Sequence, residues 1–298
     1  MNNKIIDIDI VCPVYREHEL IQSLYDSFFT QVNVNIKNVV FPLTDSGDEK
    51  TTIIEDFAKE KGIKYFLVKK EDFSHNLTRE KAIKDYCQSK IVVMLTQDVK
   101  FTNENVLYNL VKDIDDTIVF TYARQIAKRR NIERYIREKN YPKESYVISK
   151  DNSKKYELMA FFASDACAAY NRDVFIKING YGYDGKLPTN EDMLYSRRII
   201  ESGYSKKYCA DAIVEHYHKY TLKQLYKRYY LTGQFFALTK EFDKYKKTDS
   251  GLSLAFYVLG QAFIHLDILV LFRWLPDMTA RYLGMRKGRK EEVRKWRE

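Results

Sequence analysis

Between residues 5 and 114 one pattern recurs four times: a short, nearly continuous apolar run, then a stretch with helical spacing. The runs are "IIDIDIVCPVY", "NVVFPLTDS", "IKYFLVKK" and "KIVVMLTQDVKF"; the stretches after them are "EHELIQSLYDSFFTQV", "EKTTIIEDFAKEKG", "SHNLTREKAIKDYCQS" and "TNENVLYNLVKDI". Strands this uniformly apolar are covered on both faces, and strand–helix alternation joins them in parallel. The pattern therefore predicts an α/β fold with a mostly parallel sheet and flanking helices. Ligands of such sheets sit beyond the carboxyl ends of the strands. That rule singles out two acids, Asp45 in "LTDSGD" and Asp98 in "LTQD", each of which follows an apolar run.

The rest of the chain is less regular. Residues 125–157, rich in charge and Tyr, read as a solvated helix and loop or a partner-binding excursion. Compact structure resumes at "FFASDACAAYNRDVF"; Gly180 and Gly203 stand where helix-ending glycines are expected. From residue 221 the pattern is helical, which divides the chain into 1–220 and a C-terminal helical region, 221–298. Within that region "LSLAFYVLGQAFIHLDILVLFRWL" has the length of a membrane span, but Gln261, His265, Asp267 and Arg273 interrupt it. It reads as a buried helix or oligomer contact, or as a helix lying in a membrane interface. The basic stretch "ARYLGMRKGRKEEVRKWRE" after it favours an anionic inner membrane surface.

With 298 residues, 45% of them hydrophobic, the chain can build a large core, and its net charge of +9 favours anionic partners. No nucleic-acid-binding motif is present. The 4 cysteines are scattered, without zinc-finger spacing, and read as free thiols. The N-terminus enters a strand without a signal-peptide layout, so the expectation is a cytoplasmic protein held peripherally at the inner face of the membrane.

Five features carry candidate chemistry. Asp98 is not needed as a helix cap, because Thr102 or Asn103 can cap the following helix. Asp45 is either a turn residue or an acceptor for a nucleobase imide. Glu191 and Asp192 open a helix, where the helix dipole favours acids, and one of them is placed to act as a general base. His216 and His218 in "VEHYHKY" share one face of an extended segment and suit a divalent metal. Arg79 opens a helix after a turn, a position suited to phosphate or to a plain surface role.

In this order the features resemble family 2 glycosyltransferases of the GT-A fold, most closely the rhamnosyltransferase branch, over residues 5–285. "CPVY" with "TDSG" resembles the opening strand and nucleotide-contacting Asp. "LTQD" resembles the branch's form of the metal-binding DxD motif, with Gln97 in place of the first acid. "NEDMLYSRRIIESGY" resembles the ED segment, and "EHYHKYTLKQLYKRYYLTGQF" the His-x-His segment with its helix. The resemblance implies an inverting transferase with dTDP-L-rhamnose as donor, a UDP-hexose being the alternative, and a divalent cofactor, Mn or Mg. It implies donor contacts from Pro13, Tyr15, Asp45, Arg79, Gln97 and Asp98. Metal ligation falls to Asp98, His216 and His218, the catalytic base to Asp192, and sugar positioning to Asp165 and Glu191. The implied acceptor is a lipid-linked glycan of a bacterial surface polysaccharide. The Gln-x-x-Arg-Trp motif of processive relatives is absent, and Glu80 stands where many relatives carry Asn. The rival classes are a metal-dependent hydrolase built on Asp and His ligands, which predicts nucleotide-independent hydrolysis and no affinity for dTDP, and a non-catalytic basic module, which does not account for acids gathered at the strand edge.

Overall fold

The computed structural model describes residues 5–128, 131–245 and 248–295. The four predicted units are present as β1 (Ile6–Val11), α1 (His18–Phe28), β2 (Val34–Thr44), α2 (Glu49–Glu60), β3 (Lys64–Val68), α3 (His75–Lys81) and β4 (Ile91–Leu95). The fourth run is broken: after β4 a turn intervenes before a two-residue strand, β5 (Lys100–Phe101), and helix α4 (Val106–Val111). Asn105 holds the N-cap position of α4 without a side-chain capping bond, while the Asn103 side chain accepts from the Asn105 N–H, so the expected caps Thr102 and Asn103 lie outside the helix.

Then follow β6 (Ile118–Ile126), α5 (Ile132–Asn140), β7 (Tyr146–Ile148), α6 (Lys150–Tyr156), β8 (Cys167–Asn171), α7 (Arg172–Lys177), α8 (Glu191–Glu201) and β9 (Ser205–Glu215). The chain ends in α9 (Leu222–Leu238), α10 (Thr248–Ile264) and α11 (Ile268–Lys295).

Among the described residues nine strands form one mixed sheet, ordered β3-β2-β1-β4-β8-β6-β9-β5, with β7 also paired to β9. The β3-β2-β1-β4 half is parallel, as the alternation predicts. The other half is mostly antiparallel, β6–β9 being its parallel pair. Each apolar run serves two cores because strand side chains alternate. Ile91, Val93 and Leu95 pack with Ile21, Leu24, Ile54 and Leu107, whereas Val92 and Met94 pack with Phe120, Tyr170, Phe175 and Tyr195. Asp9 interrupts this pattern without penalty. Burial works against its charge, but the N–H groups of Gln88 and Ser89, the Asn38 amide and the Ser89 hydroxyl all donate to it, and its pKa falls.

Two expectations need correction. The 125–157 segment is solvated only in part: α6 buries none of its residues, but Ile132, Tyr135 and Ile136 of α5 are buried against Val258, Ala262 and Val270 of α10 and α11. The long apolar stretch is not one helix either. It bends at residues 265–267, with Leu266 at φ 49°, into α10 and α11. Gly284 and Gly288 let α11 lie directly on α9, since a Cβ at either would meet the Tyr226 or Tyr230 carbonyl oxygen. Among the described residues no helix is long and apolar enough to cross a membrane. All four cysteines are buried and free.

Candidate active site

The pairing of β5 with β9 assembles the first half of the site. Lys100 lies opposite Glu215, so the residues just before β5 run beside the residues just after β9. Asp98 is thereby brought to His216 and His218, 118 and 120 positions later in the chain. Its Oδ2 is 3.4 Å from His216 Nε2 and 3.6 Å from His218 Nδ1. Among the described residues these three are the group whose ligand atoms gather within 4.8 Å.

Hydrogen bonding behind His216 sets its tautomer. Arg137 of α5 donates to Gln125 Oε1 at 2.7 Å, which fixes that atom as an acceptor. His216 Nδ1, 2.9 Å from the same oxygen, must then carry the proton. The Gln125 amide nitrogen in turn donates to Ser164 Oγ. His216 Nε2 is left as a bare lone pair facing a carboxylate. Burial lowers the pKa of His216, and burial with the neighbouring imidazole lowers that of His218 to about 4, so both rings are neutral near pH 7. Burial works to raise the pKa of Asp98, but a proton or positive charge at the facing His216 and His218 nitrogens, with the Thr96 hydroxyl, holds it well below the usual carboxylate range, and a bound cation would do the same between neutral rings. A lone pair turned toward an ionised acid is repelled unless a cation lies between them. The donor set therefore fits a divalent metal.

The second half of the site is a cluster of acids. Asp165 lies in the loop entering β8, buried, accepting from the hydroxyls of Tyr170 and Tyr181. Arg79, also buried, pairs with Glu191 and stands 3.6 Å from Asp165. It stands in the last turn of α3, which begins at His75, and so does not open the helix as expected; its guanidinium faces carboxylates, and as a buried residue it has no plain surface role. Asp192, at the second position of α8, accepts the Asp165 N–H at 3.1 Å and the Met193 N–H at 2.7 Å. Unlike Asp165 and Glu191 it keeps partial solvent access. Three acids thus share one arginine. Burial, then the charge of Asp165, push the Asp192 pKa up to about 7 against the opposing pull of Arg79 and the two N–H donors. Lys206, buried with its Nζ toward the Phe162 carbonyl, is driven well below the ordinary lysine range by desolvation, though the field of Asp192 opposes the shift.

Between these halves, at the carboxyl ends of β1, β2 and β4, a cavity of about 350 Å³ includes Pro13, Tyr15, Arg79 and Gln97 in its wall. Lys70, Phe73, His75 and Thr96 line it too; sequence reasoning passed over all four. Asp45 is exposed at the end of β2, its Oδ1 accepting from the Gly47 N–H and the Thr51 hydroxyl. Gln97 explains its own departure from the acidic motif. Its Oε1 accepts the Tyr15 N–H at 2.7 Å while its Nε2 donates to the Tyr15 carbonyl at 3.0 Å. A carboxylate could make only the first of these bonds. Gln97 thereby ties the turn that carries Asp98 to the loop after β1.

The sequence reading also missed Gln125 and Arg137. Gln125 sits on β6, whose apolar run "TIVFTYA" is of strand length and was passed over. Arg137 lies in the segment taken as solvated, and nothing local marks it.

Residues 9–178 match the family model described as Glycosyl transferase family 2. The chain is 31% identical over 235 residues, covering 77% of itself and 72% of the relative, to the O-antigen chain rhamnosyltransferase RfbN of Salmonella typhimurium. It is 34% identical over 174 residues, 57% of itself and 55% of the relative, to the O-antigen chain rhamnosyltransferase WbaN of Salmonella anatum. Among solved structures, the mannosyltransferase PcManGT from Pyrobaculum calidifontis, bound to GDP-Man and Mn2+, superposes with TM-score 0.63 at 15% identity, over 96% of this chain and 86% of that one. Residues 1–349 of S. aureus TarS with UDP-GlcNAc superpose with TM-score 0.52 at 14% identity, over 96% and 93% of the two chains. These structural likenesses establish the fold.

Proposed function

The chain belongs to glycosyltransferase family 2 and is a glycosyltransferase; we propose that it transfers L-rhamnose with inversion from dTDP-β-L-rhamnose to a lipid-linked glycan. The sugar assignment is supported by similarity to two O-antigen chain rhamnosyltransferases. The mechanism is carried by one observation: a carboxylate with its pKa pushed up to about 7 sits at the start of α8, at the same sheet edge as the Asp98–His216–His218 cluster.

Asp192 is the base. Its carboxylate accepts the proton of the acceptor hydroxyl while that oxygen bonds to the anomeric carbon. The bond from that carbon to the diphosphate oxygen breaks on the opposite face, and a β-linked donor yields an α-rhamnoside. Burial and the charge of Asp165 make Asp192 basic, while Glu191 engages Arg79. Arg79 partly neutralises the same cluster from the donor-cavity side. Asp45 accepts from the thymine, and Pro13, Tyr15 and Gln97 shape the donor cavity. Asp98, His216 and His218 would hold a divalent ion, Mn or Mg, whose charge offsets the negative charge developing on the departing diphosphate.

Membrane contact comes from the bend between α10 and α11. Phe263, Ile264, Leu266, Ile268, Leu269 and Phe272 are each at least 59% exposed there. Side chains of this size gain about 1.5–3 kcal/mol each on leaving water for an apolar phase. The basic stretch of α11 adds attraction to anionic lipid.

The test is a thermal-shift screen of nucleotide sugars with Mn, followed by NMR of the transfer product. Stabilisation by dTDP-rhamnose and an α-linked product are expected. Selective stabilisation by a UDP- or GDP-sugar would replace the donor, and donor hydrolysis without transfer would replace the reaction. Leu266→Glu with Phe272→Glu should release the protein from phosphatidylglycerol vesicles in a flotation assay; unchanged binding would move the membrane contact elsewhere.

A further inference from the structure

A second cavity, of about 420 Å³, is lined in part by the His-x-His segment, through Tyr217, His218, Lys219 and Tyr220, and shares no lining residue with the donor cavity. His218 forms part of its wall, so it reaches the candidate metal ligands. Leu269 and Val270 of α11 form another part. Val270 is buried, but Leu269 is 81% exposed and belongs to the apolar bend between α10 and α11. The cavity thus joins the reaction centre to the apolar tip of the molecule.

The charge along its wall is uneven. Glu133 and Asp277 line it, yet both are taken up by Arg281, at 2.9 and 2.7 Å. Lys219 and Arg273 also line it. Arg273 donates to the Tyr220 carbonyl and stands 3.7 Å from Asp277. Counting Arg281, three cations meet two acids, and the exposed Lys219 is free of any carboxylate partner among the described residues. A wall with surplus positive charge beside a metal site and an apolar exit suits an amphiphile with a phosphate head and a hydrocarbon tail.

We propose that this cavity seats the lipid anchor of the acceptor, its phosphate or diphosphate at Lys219 and Arg273 and its tail running over Leu269 toward the apolar bend. The assignment deepens the reading of the acceptor as lipid-linked and rests on it. It gives the acceptor an approach from the membrane side, through a cavity separate from that of the donor.

Farnesyl diphosphate, a soluble prenyl diphosphate, is the probe, titrated calorimetrically into the full chain with Mn and no donor. Binding to the wild type is expected, at least tenfold weaker to Leu269→Asp and severalfold weaker to Lys219→Gln, with dTDP affinity unchanged in both variants. Leu269 and Lys219 are exposed, so neither change threatens the core. No binding to the wild type would overturn the assignment. So would equal affinity for inorganic diphosphate, which would show that the tail contributes nothing, or displacement by dTDP, which would place the probe in the donor cavity. The readout needs no turnover. A wild type that binds farnesyl diphosphate but not dTDP-rhamnose would discard the donor reading and leave the lipid site standing.

Discussion

Asp98 and Asp192 are the same residue, both at the ligand edge of one sheet, and their surroundings drive them in opposite directions. Asp98 faces two imidazoles and is held ionised far below its ordinary range. Asp192, by burial and then by the charge of Asp165, is pushed up to about 7 against the pull of one shared arginine. The first suits a cation that stays; the second suits a proton that comes and goes. Role here is set by the company a carboxylate keeps, not by its chemistry alone.

Removing the metal should break the comparison most completely. EDTA is expected to reduce transfer to background and Mn to restore it in the wild type, while Asp98→Ala and His216→Ala both stay inactive at saturating Mn. Full activity in chelator would dissolve the metal half of the site. Asp192→Asn comes next: loss of a positioned base costs roughly a hundred- to ten-thousand-fold in kcat, with dTDP affinity retained. The pH profile sharpens the same point. A base with a pKa near 7 is protonated below that pH and cannot accept a proton, so kcat/KM should fall about tenfold per pH unit below 7. His218, titrating near 4, stays neutral over that range, so Mn affinity should be similar at pH 6 and pH 8. A parallel loss of Mn affinity would assign the profile to the imidazoles instead.

The smaller effects lie behind the ligands. Gln125→Ala removes the partner that fixes the His216 tautomer, and such outer contacts are worth roughly 10–100-fold in metal affinity; titration of the variant with Mn reads this directly. Gln97→Asp restores the acidic motif on paper. Because an aspartate cannot donate to the Tyr15 carbonyl, the change is expected to lower Mn-dependent activity severalfold. A gain would show that position 97 reaches the metal.

How much of this was legible follows the range of the interactions. The parallel half of the sheet was readable, because each strand announces itself in a short, mostly apolar run. Asp98 and the His pair were readable as candidates, because a strand end and an alternating segment are local features. The break between β4 and β5 was not, since the run "KIVVMLTQDVKF" looks continuous and β5 is decided by pairing with Glu215 and Val214 far along the chain. Nor was the burial of α5, whose charged face hides an apolar side that needs α10 and α11 to cover it.

The sequence by itself determined the layered α/β fold, the ligand edge and the residue types available there, because periodicity and strand length act over short distances. Only the tertiary structure decided what those residues became. Gln97 reaches Tyr15 across 82 positions, and Arg137 reaches His216 through Gln125. Arg79, open to phosphate on sequence grounds, is drawn into the acids that tune Asp192. Charge state and tautomer depend on burial and on neighbours distant in the chain, and those exist only once the chain has folded.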